Sequence, residues 1–123
     1  MKKLLKIVLV SCIPLVLFSC YYDEFPEIEE EIVIPPDTVV SFADDIAPIF
    51  LTYNCAQCHN ASGQRPNLST GSAYSALVPT YVKAEDPNSS TLYIKLAING
   101  HRNVDANSIA LIKKWIEDGA DNN

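Results

Sequence analysis

Positive charge is scarce in this sequence: nine Lys and Arg residues stand against fifteen Asp and Glu, a formal net charge of −6. Lys2, Lys3 and Lys6 precede Cys20 and every acid follows it, so from Cys20 onward six basic groups face fifteen acidic ones, net −9. Phosphate binding needs a basic footprint, and no nucleic-acid partner is expected on this count. A net-acidic protein suits a partner with a basic docking patch, with an association rate that falls as salt rises. Internal repeats are missing, and so is any convincing alternation of apolar and polar residues, which removes the signature of a half-buried strand. The one long apolar stretch, Ile7 to Phe18, is shorter than the roughly 20 residues that a spanning helix needs. Methionine is absent after Met1, and histidine occurs only at His59 and His101. No catalytic constellation is visible, and no enzymatic activity is expected.

The first 20 residues combine a lysine-rich start, the apolar stretch and a close at Ser19-Cys20, which is the build of a signal peptide. Leu17-Phe18-Ser19-Cys20 resembles the lipobox of bacterial lipoproteins, which implies acyl chains on Cys20 and a protein that sits on a membrane without crossing it. That places it in the cell envelope, on the periplasmic or outer-membrane face or at the cell surface. Residues 21–40 then carry Asp23, Glu24, Glu27, Glu29, Glu30 and Glu31 together with Pro26, Pro35 and Pro36. Like charges repel and prolines stiffen, so this segment reads as an extended spacer. Acidic residues just after a lipidated cysteine also resemble a surface-export signal.

A folded domain is expected over residues 41–123, and it reads as all-α. Asp44 and Asp45 suit the positive end of a helix, Ile46, Ile49 and Phe50 recur at helical spacing, and Pro48 requires the helix to start only a few residues earlier. Asn60 to Thr70, rich in Ser, Gly, Asn and Pro, reads as a loop, and Gly71 to Val78 as a short helical turn. Asp86 to Ser90 starts another helix, which Asn99-Gly100 stops. A last helix, from about Asp105 or Asn107 to Asp118, lines up Ile109, Ile112 and Ile116 beside Leu111 and Trp115, with Gly119 at its cap. Trp115 and Phe50 read as core, Lys113-Lys114 as a solvated face, and Tyr74, Tyr81 and Tyr93 as aromatics that could edge a cofactor pocket, with nothing in the sequence to assign them there.

Cys55-Ala56-Gln57-Cys58-His59 is the C-x-x-C-H pattern of covalent haem attachment. Two thiols three positions apart on a helical turn can each reach one vinyl group of a porphyrin, and the next residue then offers an imidazole to the iron. Thioether bonds also hold a cofactor in a domain too small to enclose it by packing alone. Three other chemistries use the same residues: a structural disulfide, a thioredoxin-like redox pair, and a zinc site completed by His101. Adjacent Cys58 and His59 make awkward common ligands of one tetrahedral ion, and no strand-rich framework surrounds the pair.

Phe42-Ala43-Asp44-Asp45-Ile46-Ala47-Pro48-Ile49-Phe50, the pentad, Pro66-Asn67-Leu68, Asp86 to Tyr93 and Ile112 to Ala120 together resemble the short class I cytochrome c domains of bacterial lipoproteins and planctomycete-type cytochromes. The resemblance covers nearly everything after Ser41. It implies a small helical domain wrapped round one covalent haem c, with the terminal helices crossing over it. It implies cofactor contacts from Cys55, Cys58 and His59, from Pro66 on the proximal side, where a backbone carbonyl orients the imidazole, and from Leu68 against the ring. In that family a methionine between the last two helices is the sixth iron ligand. Here the matching region reads Ile98-Asn99-Gly100-His101-Arg102-Asn103-Val104-Asp105, so a His/Met-ligated iron is excluded and His101 is the expected metal ligand opposite His59. Electron transfer with a redox partner protein is the implied function. The alternatives are a haem-based ligand binder or sensor with an open distal site, and a haemless lipoprotein interaction domain.

Overall fold

The computed structural model describes residues 32–123; the expected signal segment, Cys20 and most of the expected spacer lie outside the described residues. The described chain is helical, with no strand among the described residues. Residues 32–39 are largely exposed, and packing begins at Val40, which is buried, one residue before the expected domain start.

The first helical segment shows how the chain accommodates Pro48. Its ring would crowd the carbonyl of Asp44, four residues back, and it has no N–H to give. Phe42–Ile46 is wound as a π-helical turn, with the Ala47 N–H bonding the Phe42 carbonyl five residues back. Helix α1 (Ala47–Thr52) follows, with Pro48 in its first two positions, where a missing donor costs little. Ser41 caps the start: its Oγ accepts from the Asp44 N–H at 3.2 Å while its own N–H donates to the Asp45 carboxylate at 2.8 Å.

Helix α2 (Ala73–Leu77) is the short turn expected between Gly71 and Val78. Asp86 caps a 3₁₀ turn at Pro87–Ser89, accepting from the Ser89 N–H at 3.0 Å. Ser90 is the one fully buried polar side chain of the described core; its Oγ accepts from the Lys83 N–H (2.9 Å) and donates to the Asp86 carbonyl (2.8 Å), which removes the cost of burying it. Helix α3 (Thr91–Tyr93) continues as a second π-helical turn, Ile94–Ile98, and Gly100 stops it in the left-handed region at φ 61°. Helix α4 (Ala106–Glu117) is the longest element; Asp105 caps it, accepting from the N–H groups of Asn107 and Ser108.

Apolar side chains from all of these segments meet in one core, with Ile46, Leu77, Val82, Ile112 and Ile116 fully buried. Phe42, Tyr74 and Trp115 form an aromatic cluster with ring centroids 5.2 to 6.4 Å apart, joining the first turn, α2 and α4. Their polar tips are satisfied: Tyr74 Oη donates to the Ala120 carbonyl and Trp115 Nε1 to the Asp121 carbonyl. The Ala43 N–H also donates to the Asn123 carbonyl at 3.0 Å, which ties residue 123 to the first helical turn. Lys113 and Lys114 lie on the outer face of α4, paired with Glu117 and Asp118.

Candidate functional site

A cavity of about 730 Å³ opens between α1, the cysteine-bearing turn, α3 and the segment before α4, within the size range of cofactor sites. Phe50, Leu68, Leu77, Leu92, Leu96 and Val104 give it an apolar wall. Cys55, Cys58, His59, Pro66, Leu68 and His101 all line it, so every candidate site residue among those described is brought to one place. Cys20 lies outside the described residues.

Local backbone chemistry explains how the pentad is presented. Helix α1 ends at Tyr53, and Asn54 adopts the left-handed conformation (φ 52°, ψ 37°), which Asn tolerates better than most residues. The chain therefore changes direction immediately before Cys55 and winds into a 3₁₀ turn, Cys55–Gln57. The Cys58 and His59 N–H groups both bond the Cys55 carbonyl, at 3.2 and 2.9 Å. Asn60 closes the turn, its Nδ2 donating to the carbonyls of Ala56 and Gln57. The following loop folds back on the motif: the Gln64 N–H bonds the Cys58 carbonyl and the Leu68 N–H the His59 carbonyl, each at 2.8 Å. The second bond is what carries Leu68 to the cavity wall.

Cys55 is buried, Cys58 is exposed, and both are free thiols. Burial pushes the Cys55 thiol up, against an opposing pull from the Arg102 guanidinium, so the sulfur stays protonated at neutral pH. The rings of His59 and His101 lie edge to face, with centroids 6.2 Å apart and planes at 82°. Two imidazoles binding opposite sides of one ion, each through a ring nitrogen at about 2 Å, have centroids about 6 Å apart. The observed separation suits such a ligand pair and equally an edge-to-face pair of rings. No group of three or more His, Cys, Asp or Glu side chains is arranged to share an ion among the described residues, which leaves the zinc reading of Cys55, Cys58, His59 and His101 without geometric support.

One implied contact is not made. His59 Nδ1 is buried without a hydrogen-bond partner, so the Pro66 carbonyl does not orient the imidazole here, although Pro66 lines the same cavity. The main-chain bonds from Gln64 and Leu68 on either side of Pro66 fix the course of this loop. No family model, curated protein or solved structure matches the chain. The chemistry of the site therefore rests on its own residues. Two thiols and two imidazoles on one largely apolar cavity fit a porphyrin iron attached through both sulfurs. The buried, unpaired His59 Nδ1 costs folding free energy.

Of the three tyrosines that could edge the pocket, Tyr81 lines the cavity and Tyr74 and Tyr93 do not; Arg65, Lys95 and Arg102 also line it, and sequence reasoning assigns none of these three to it. The position of Arg102 directly after His101 is the only available hint for any of the three. No helix among the described residues is long and apolar enough to cross a membrane.

Proposed function

We propose that residues 41–123 form a mono-haem c-type cytochrome domain that transfers electrons, tethered to a membrane of the cell envelope through lipidated Cys20. Cys55 and Cys58 would hold the haem through thioether bonds, and His59 and His101 would supply nitrogen ligands to its iron. The haem, once bound, supplies reversible one-electron exchange between Fe(III) and Fe(II). The protein's own contribution is to position and to seal. Phe50, Leu77, Leu92 and Leu96 exclude water from one side of the cavity, while Cys58 and His101 lie at an exposed edge where a partner can approach. The observation that carries this reading is the convergence of both pentad thiols, His59 and His101 on one apolar cavity, with the two imidazoles at a bis-ligand separation.

Mass spectrometry of denatured protein, made together with a cytochrome-maturation system, tests the reading directly. Covalent haem adds a fixed mass that survives denaturation and disappears in Cys55→Ala/Cys58→Ala. An unmodified mass in a cell that matures other c-type cytochromes overturns the proposal. A second reading, a haem-based ligand binder with an open distal site, draws on one observation: His101 is exposed and sits in a three-residue turn, His101–Asn103, between left-handed Gly100 and Arg102. Its signature is a high-spin ground state in the wild type.

A further inference from the structure

The turn that carries His101 is strained, and hydrogen bonds to the residues just before the pentad hold it. Gly100, Arg102 and Asn103 all adopt the left-handed conformation, at φ 61°, 68° and 49°. Gly and Asn tolerate it, but an Arg is found there only where its surroundings keep it there. Within the turn, the Asn103 N–H bonds the Gly100 carbonyl at 3.2 Å. The remaining ties reach outward to the end of α1. Arg102 Nη2 donates to the Asn54 carbonyl at 3.3 Å, the same oxygen that accepts the Gln57 N–H at 3.1 Å and so opens the turn bearing Cys55. Asp105 meets Tyr53, whose hydroxyl donates to the carboxylate at 2.6 Å and accepts from the Asp105 N–H at 2.9 Å. Asn54 is itself left-handed, at φ 52°. Two backbone pivots, one immediately before Cys55 and one immediately after His101, are therefore bonded to each other. Val104, buried and on the cavity wall, pins the chain between the two ties. The His101 side chain is exposed, so its own packing does not fix it, and the ties on its C-terminal side are what limit its swing away from the cavity.

We propose that Tyr53 and Arg102 are positioning residues for His101: their bonds to Asp105 and to the Asn54 carbonyl hold the strained turn His101–Asn103 against the end of α1 and keep the imidazole at the cavity. This rests on the haem reading above, in which His101 is an iron ligand, and adds to it what keeps that ligand in place. Because both ties end on the residues next to Cys55, the position of His101 is referred to the point where the cofactor is attached.

The test uses the mature haem protein with Tyr53→Phe, Arg102→Gln and the double variant. Tyr53→Phe removes the hydroxyl and keeps the ring. Ser108→Ala is the structural control: it removes another bond to the Asp105 carboxylate, made by Ser108 Oγ at 2.6 Å, and leaves both ties intact. Far-UV circular dichroism establishes that each variant is folded. Wild type and Ser108→Ala should be low-spin. In the tie variants a high-spin fraction should grow, and the apparent affinity for carbon monoxide should rise about twofold to tenfold for each tie removed. In a His101→Ala background the same substitutions should have no further effect, since no imidazole is left to position. Tie variants with wild-type spin state and ligand affinity, a like change in Ser108→Ala, or an equal rise in the His101→Ala background each overturn the proposal and leave the haem reading standing. A wild type that carries haem and is high-spin overturns the assignment of His101 as a ligand, and the positioning role with it. If mass spectrometry finds no covalent haem, the haem reading fails by itself, and the ties are read by nuclear magnetic resonance on the full chain as isolated. Overhauser contacts between the His59 and His101 rings should be present in the wild type and lost in the double variant. Contacts that persist in the double variant, or that the wild type lacks, overturn the positioning role independently of haem.

Discussion

At the scale of single residues, His101 and Gly63 carry the sharpest tests. The 6.2 Å centroid separation from His59 predicts that His101 fills the sixth coordination position and keeps the iron low-spin. His101→Ala should turn the spectrum high-spin. If the imidazole occupies the site for at least nine-tenths of the time, the apparent affinity for carbon monoxide should rise at least about tenfold when it is removed. His101→Met should instead raise the potential, since thioether ligation favours the reduced iron. A high-spin wild type whose ligand affinity ignores both substitutions would transfer the weight to the ligand-binding reading. Gly63 acts through backbone proximity. A Cβ built there lies 2.2 Å from the Cys58 carbonyl oxygen, the acceptor that holds Gln64 in the return loop. Gly63→Ala must therefore push the loop off the pentad, at a cost of about 1–3 kcal/mol typical of overpacking. Thermal unfolding of the haem protein measures it, and an unchanged midpoint would show that the loop is free to yield.

At the scale of elements, the junction between α1 and α4 is a clasp made by Tyr53 and Asp105. Tyr53 Oη donates to the Asp105 carboxylate at 2.6 Å and accepts from the Asp105 N–H at 2.9 Å, while the same carboxylate caps α4 and accepts from Ser108 Oγ at 2.6 Å. Hydrogen bonds from Ser108 and then Tyr53 hold the Asp105 carboxyl down at about 2. A carboxyl depressed on folding contributes stability that is fully present above its unfolded value near 3.8 and is lost as pH falls through about 2. Asp105→Ala should cost about 1 kcal/mol at neutral pH through loss of the cap. Asp105→Asn keeps a capping oxygen and removes the titration, so its stability gap from wild type should shrink between pH 5 and pH 2. Parallel thermal melts across that range check the sign; a gap that widens on acidification would mean that the carboxylate is not stabilised in the folded state.

The same elements show what a linear sequence reveals and what it hides. Helix α4 is legible because a stripe of Ile109, Ile112 and Ile116, an Asp cap and a closing Gly119 all point to one element, and Ala106–Glu117 is where it forms. Gly100 is legible as a stop for the same local reason. The two π-helical turns, Phe42–Ile46 and Ile94–Ile98, are not, since a shift from four- to five-residue hydrogen bonding leaves the apolar pattern almost unchanged. At the site, the pentad is legible because its spacing is itself the chemistry. Arg65 and Lys95 are not, because only the fold brings residues thirty positions apart to one opening. Sequence offset brings Pro66 to the cavity, but it does not by itself give His59 Nδ1 a hydrogen-bond partner.

At the scale of the whole molecule, the cavity is the largest departure from a self-sufficient fold. Protein interiors are packed with few voids larger than a water molecule, yet this small domain surrounds about 730 Å³ with Phe50, Leu68, Leu77, Leu92, Leu96 and Val104. Domains of this size have little stability in reserve, and the apolar wall of such a cavity meets water unless an occupant covers it. The outer shell does not depend on the cavity in the same way. The aromatic cluster of Phe42, Tyr74 and Trp115, the bonds to Asn123 and the i,i+4 pairs of α4 involve no cavity-lining residue, so they can persist when the centre is empty. Cys55→Ala/Cys58→Ala, made without covalent haem, should therefore be a partly ordered chain and not a random one. Protection from hydrogen exchange should survive in α4 and the first turn and be lost in α3 and in the loop after the pentad. Near-ultraviolet circular dichroism from Trp115 should be weakened but present, and the cooperative thermal transition should broaden or vanish. A double variant that melts cooperatively near the wild-type temperature, with α3 protected, would mean that the cavity closes by itself and that the haem contributes nothing to the core.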